Sequence, residues 1–155
     1  RWGGVNDPGV YLDENIQRMM MNFRNNFGRL ANQLIAEGDT LRARSTLERC
    51  MEVIPNERVP FNYFMVPIIE AYYKLGETKL ANSYLLTLSD LAEEELRYFL
   101  SLGRQYAGDV DYDMQIRMHI MQELLRITRE NQVEELIDRQ QQIFQNLVVL
   151  YQSNA

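Results

Sequence analysis

The stretch Phe27-Gly-Arg-Leu-Ala-Asn-Gln-Leu-Ile-Ala-Glu-Gly-Asp-Thr-Leu-Arg-Ala-Arg-Ser-Thr-Leu47 carries the pattern on which the fold turns. Phe27, Leu30, Ala31 and Leu34 recur at three and four positions, the spacing of one helix face. Gly38 interrupts the run, Ala43 and Leu47 resume it, and Pro55 closes the second segment. The same order returns 38 positions later as Met65, Ile68, Ile69 and Tyr72, then Gly76, then Ala81 and Leu85. A third copy opens with Phe99, Leu102, Gly103 and Tyr106. Its second half departs from the pattern, with Gln115 where alanine belongs and His119 where a large apolar residue belongs. The physical demand behind the pattern is close packing. Alanine at 43 and 81 lets the second helix of a pair approach the first, and glycine at 38 and 76 supplies the left-handed residue that reverses the chain.

Large, small, large, glycine, alanine, large and proline in this order make the tetratricopeptide pattern, whose unit is about 34 residues. The four additional positions fall in the connector around Arg58 to Phe61. The pattern predicts an all-α chain, a tetratricopeptide-like right-handed helical solenoid of about three helix pairs plus a C-terminal capping helix. Residues 1–12, dense in turn formers from Arg1 to Gly9, read as an irregular lead-in, either a docking loop or a linker remnant. Residues 13–151 read as a single helical domain with repeats at about 24–57, 62–95 and 96–131 and a cap at 133–151.

Seven helices are expected. The first runs from an Asp13 cap to Gly38, the second from Thr40 to Ile54, the third to Leu75 and the fourth from Lys79 to Leu88. The fifth is capped by Ser89 or Asp90 and ends near Ala107-Gly108. The sixth covers Tyr112 to Asn131 and the last Val133 to Tyr151. Pro67 falls inside the third by pattern, so that helix either starts later than Asn62 or bends there.

Composition narrows the function. Of 155 residues, 46% are hydrophobic and 25% charged, with 8 Gly and 4 Pro, which is globular and not low-complexity. Sixteen Lys and Arg against 22 Asp and Glu give a net charge of −6, so the positive field that nucleic acid requires is missing. No apolar run approaches the roughly 18 residues that cross a bilayer, so no membrane insertion is expected of this piece. Its first residue, Arg1, reads as the start of a fragment of a longer protein.

The chemistry-bearing residues read as structural. A single Cys50 and a single His119 cannot assemble a four-ligand Cys/His zinc site, and as packing residues on different repeats they do not make a nucleophile and its base. Asp109, Asp111 and Asp113 begin like a calcium loop. The match then fails at Met114, where glycine is needed, and at Ile120, where the bidentate glutamate belongs, leaving these carboxylates to cap a helix. Trp2 to Gly9 has glycines but lacks the lysine and serine or threonine of a phosphate cradle. Met19 to Met21 and the Met114, Met118, Met121 stripe read as core filling, and Glu93 to Glu95 as a solvated first turn. No catalytic residue, metal or cofactor is expected.

Three stretches carry a resemblance: Trp2-Gly-Gly-Val-Asn-Asp-Pro-Gly-Val-Tyr-Leu-Asp-Glu-Asn15, Arg24-Asn-Asn-Phe-Gly-Arg-Leu-Ala31 and Cys50-Met-Glu-Val-Ile-Pro-Asn-Glu-Arg-Val-Pro-Phe-Asn-Tyr-Phe-Met65. The chain resembles the C-terminal part of a family of bacterial multi-pass membrane proteins. Their N-terminal domain, of unknown function, is distantly similar to protein O-mannosyltransferases, and their tail is soluble and tetratricopeptide-like. The resemblance implies a tail of an inner-membrane protein on the periplasmic side, and it transfers no catalytic residue.

In tetratricopeptide arrays the first helices line a concave groove. The matching positions are Asn25, Gly28, Asn32 and Ile35, then Tyr63, Val66, Glu70 and Tyr73, then Arg97, Leu100 and Arg104. Asn32 matches the asparagine of a clamp for C-terminal carboxylates, whereas Gly28 stands where that clamp needs lysine. Tyrosine beside arginine is the composition of binding hot spots. The leading expectation is therefore a non-enzymatic interaction or scaffold domain whose partner is a protein segment or its own membrane domain. The alternative is an accessory domain that binds glycan or lipid-linked substrate through Tyr63, Tyr73, Glu70 and the arginines, and a structural spacer is the third reading.

Overall fold

Six helices account for the regular structure of residues 3–102 and 107–154, the residues described by the computed structural model: α1 (Glu14–Ala36), α2 (Thr40–Val53), α3 (Met65–Lys74), α4 (Thr78–Ser101), α5 (Ala107–Glu130) and α6 (Glu134–Asn154). Two compact units divide the chain, Arg1–Tyr84 and Leu85–Ala155, and the division falls inside α4.

In the first unit, Asp13 caps α1 by accepting the Ile16 amide at 2.8 Å, as its sequence position predicts. Met20, Arg24, Gly28, Ala31 and Leu34 form the buried face of α1. That face packs on both α2 and α3. From α2 come Ala43, Leu47, Cys50 and Val53, all buried. Ala81, at the matching place on α4, is also fully buried. Other periodic apolar residues lie on the solvent side. Leu30 is 51% exposed and Leu41 is 78% exposed, so the expected inner faces of the first two helices are narrower than their apolar content.

Pro67 is the third residue of α3, which starts at Met65 and not at Asn62. A proline in a first turn removes an amide that has no intrahelical partner, so the ring bends nothing.

Local hydrogen bonding repeats at three places along the chain. Gly38, Gly76 and Gln132 have φ of 83°, 74° and 53°. At each, the amide of that residue donates three positions back, to Ile35, Tyr73 and Arg129. The next amide donates five back, from Asp39 to Leu34, from Glu77 to Tyr72 and from Val133 to Thr128. This is the helix-ending bond pair in which a left-handed residue reverses direction. The third reversal thus joins α5 to α6, which pack on each other. The final helix is therefore the second member of a hairpin, where the sequence suggested a cap.

Two expected boundaries are corrected. The break at Ser89 and Asp90 does not occur, because α4 continues through both to Ser101. Leu85, Leu88, Ala92 and Leu96 keep the buried stripe in period across that point. Inside the second unit, the buried Ser89 hydroxyl donates to Gln140 Oε1 at 3.0 Å and Asp90 pairs with Arg139 at 2.7 Å, so both residues serve α4–α6 packing and not a cap. Likewise α5 begins at Ala107, not Tyr112.

Candidate functional site

Three segments of the first unit, the lead-in, α1 and the α2–α3 connector, converge on two arginines. Arg24 sits in the buried period of α1 and is fully buried. Its Nη2 donates to the Ile54 and Val59 carbonyls at 3.0 and 2.6 Å, and Nη1 donates to the Pro60 carbonyl at 3.0 Å. The Phe61 ring lies 5.2 Å from the guanidinium carbon. Its Nε makes no hydrogen bond to the described residues. Burial pulls the guanidinium down to about 10, still far above neutrality, so the charge persists. Cys50, fully buried nearby, is pushed up to about 12 by the same burial and is held as an unreactive thiol.

Arg58 mirrors this arrangement. Its Nε donates to the Val5 carbonyl at 3.0 Å and its Nη2 donates to the Val10 carbonyl. Val5 and Leu12 of the lead-in are buried in one cluster with Met20, Val53, Ile54 and Val59. Residues of the lead-in thus pack against the core of their own unit. Trp2 lies outside the described residues.

The candidate groove positions fare unequally. On α1, Gly28 faces α3 so closely that an added Cβ would stand 3.2 Å from Ile68 Cγ1 and 3.5 Å from Pro67 Cγ, so the lysine of a carboxylate clamp would fit there only if Ile68 gave way by a few tenths of an ångström. Asn32 is engaged in holding that crossing. Its Nδ2 donates to the Gly28 and Pro67 carbonyls, both at 2.9 Å, and its Oδ1 accepts from Lys74 Nζ at 2.9 Å. Asn25 and Ile35 are half-buried. Tyr63 stands in the turn before α3 and is 37% exposed, and Glu70 is half-buried on α3. Tyr73 is buried, with its hydroxyl donating to Asn82 Oδ1 of α4, and burial pushes it up to about 12. In the second unit Arg97 chelates Glu93 one turn back, at 2.9 and 2.7 Å. Arg104 lies outside the described residues.

The remaining candidates belong to different places. Cys50 is in the first unit and His119 in the second, where His119 is exposed and not the packing residue expected. Asp111 accepts from Gln115 and Asp113 pairs with Arg117 at 2.9 Å, both within α5, so they brace a helix already begun and do not cap it. The side chain of Asp109 lies outside the described residues. Met114 and Met121 are buried as core filling requires, whereas Met19 is 48% exposed. Among the described residues, no group of three His, Cys, Asp or Glu side chains is placed to hold a metal ion, and no helix is long and apolar enough to cross a membrane.

Sequence reading passed over Arg24, Arg58 and Lys74. The signal for Arg24 was present: a charged residue standing where the Met20-to-Ala31 period asks for an apolar one. No protein-family model, no curated protein and no solved structure matches the chain.

Proposed function

We propose that this chain is a tetratricopeptide-like interaction domain without catalysis of its own, the extramembrane tail of a membrane-anchored, glycosyltransferase-like protein, on the periplasmic side. Its partner is a protein segment or its own membrane domain. The observation that supports the reading is the repeated hairpin. Gly38 and Gly76 reverse the chain with the same bonds, Ala43 and Ala81 are fully buried at matching places, and the face shared by α1 and α3 keeps Asn25, Ile35, Glu70 and Tyr63 within reach of solvent. Side chains already engaged in packing, Asn32 and Tyr73, set the shape of that face, while Tyr63 and Asn25 are the groups with surface to offer. A rigid scaffold that presents a few half-buried polar and aromatic side chains suits recognition of an extended segment.

The test is a photoreactive phenylalanine analogue placed at position 63 of the membrane-embedded full-length protein, with position 112 as the control, since Tyr112 is 74% exposed in the other unit. Adducts to a protein segment at 63 and not at 112 agree with the proposal. Adducts to a saccharide or lipid-linked saccharide favour the accessory substrate-binding alternative. No adduct at 63 above the level at 112 contradicts an interaction role for this face.

A further inference from the structure

We propose that residues 3–12 are a strap that opens and closes as one piece over an apolar seam of the first unit, with Arg58 as its latch. The strap is organised by its own short-range bonds. The Asp7 amide donates to the Gly4 carbonyl at 2.8 Å, the Val10 amide to the Asp7 carbonyl at 3.1 Å, and the Gly9 amide to Asp7 Oδ1 at 2.8 Å. Its grip on the rest of the unit is of another kind. Val5 and Leu12 enter the seam made by Met20, Val53, Ile54 and Val59, with Val10 packed at its margin. Arg58 reaches across from the α2–α3 connector to the carbonyls of Val5 and Val10, so one side chain fastens the strap at two points.

A segment whose few short-range bonds cannot persist in water once it lifts, and which is held by Arg58, by the Gln17 side chain donating to the Leu12 carbonyl at its helix end and by a few apolar contacts, has the makings of a local opening unit. Lifting it uncovers Met20, Val53, Ile54 and Val59, and two of these, Ile54 and Val59, lend their carbonyls to Arg24. The strap therefore occupies the seam as an internal ligand, and its release would present an apolar surface next to the connector. Arg58 is chemically suited to latch it, because a planar guanidinium offers separate donors to two carbonyls at once, which the single ammonium of lysine does not match.

Hydrogen exchange on the whole chain reads this directly. In the unaltered protein the Asp7, Gly9 and Val10 amides should share one protection level, lower than that of the α1 and α2 amides. Arg58→Ala should reduce that shared protection by about ten-fold or more while leaving α5 and α6 unchanged, and Arg58→Lys should fall between. The intermediate variant carries the test if the alanine variant fails to fold. Free exchange of the three amides in the unaltered protein overturns the closed strap. Unchanged protection in both variants overturns the latch. An equal loss of protection across the whole first unit overturns the strap as a separable piece.

Discussion

At the scale of single residues, Arg24 is a costly side chain to replace, being fully buried and bonded to three carbonyls. It has no carboxylate partner among the bonds it makes, and three carbonyls of the α2–α3 connector depend on it. Arg24→Met keeps much of the volume and removes the donors, and it should cost about 2–4 kcal/mol, because Ile54 and Val59 then hold unpaired carbonyls in a buried place. Urea melts of the two proteins give the difference, and a variant as stable as the parent would mean that the arginine contributes packing alone. Titration in the same neighbourhood gives a second expectation. Burial holds Cys50 protonated up to about 12 from an ordinary value of 9.0, holds Tyr73 up to about 12, and moves Tyr72 and Tyr84 upward. A group whose folded value is raised stabilises the fold fully below its unfolded value, and that contribution drains away as pH rises toward the folded value. The urea midpoint should therefore fall between about pH 8 and pH 10. Arg24, whose folded value is lowered to about 10, acts in the opposite sense only above that range. A flat profile from 8 to 10 would show that these groups are solvated in the folded protein.

At the scale of elements, the hairpin reversals decide which parts of the fold a reader of the sequence can see. Gly38 and Gly76 announce themselves, since glycine is the residue that takes a left-handed conformation without a Cβ penalty. Gln132 adopts φ 53° with the same two hydrogen bonds and carries no such signal, so the pattern around the α5–α6 hairpin resembles a repeat followed by a cap. The break that the sequence suggests inside α4 has a related cause. Ser89 and Asp90 are the residue types that cap helices, yet here they face α6 and are satisfied by Gln140 and Arg139, partners many residues away that local pattern does not reveal. The groove was legible only as positions. That Asn32 and Tyr73 are already engaged depends on Pro67, Lys74 and Asn82, which lie across a helix crossing. If the three reversals are physically the same, Gln132→Gly should stabilise the chain by about 0.5–1 kcal/mol and Gly38→Gln or Gly76→Gln should destabilise it by about 1 kcal/mol. Thermal unfolding of the three variants checks this, and a destabilising Gln132→Gly would mean that the glutamine side chain holds the turn.

At the scale of the whole molecule, charge and packing are distributed unevenly. The first unit carries ten Lys and Arg against ten Asp and Glu, and the second carries six against twelve, so the entire net charge of −6 resides in residues 85–155. The described arginines there are engaged, Arg97 by Glu93, Arg117 by Glu95 and Asp113, Arg126 by Glu123 and Glu130, Arg139 by Asp90 and Arg129 by Gln141. Exposed pairs of this kind contribute little, about 0–1 kcal/mol each. These pairs leave the unit with its acidic excess of six charges. The neutral first unit holds the reversals at Gly38 and Gly76, and the proposed repeat requires that the hairpins around them be equivalent, which a single measurement can address. Ala43 and Ala81 are both fully buried at matching register, whereas Ala36 near the end of α1 is exposed. Urea unfolding of Ala43→Leu, Ala81→Leu and Ala36→Leu compares them directly. The two buried substitutions should each cost about 1–3 kcal/mol, and by similar amounts, through overpacking of a close helix approach, with Ala36→Leu near zero. Midpoints unchanged by both buried substitutions, or a cost at one alanine and none at the other, would contradict the repeat.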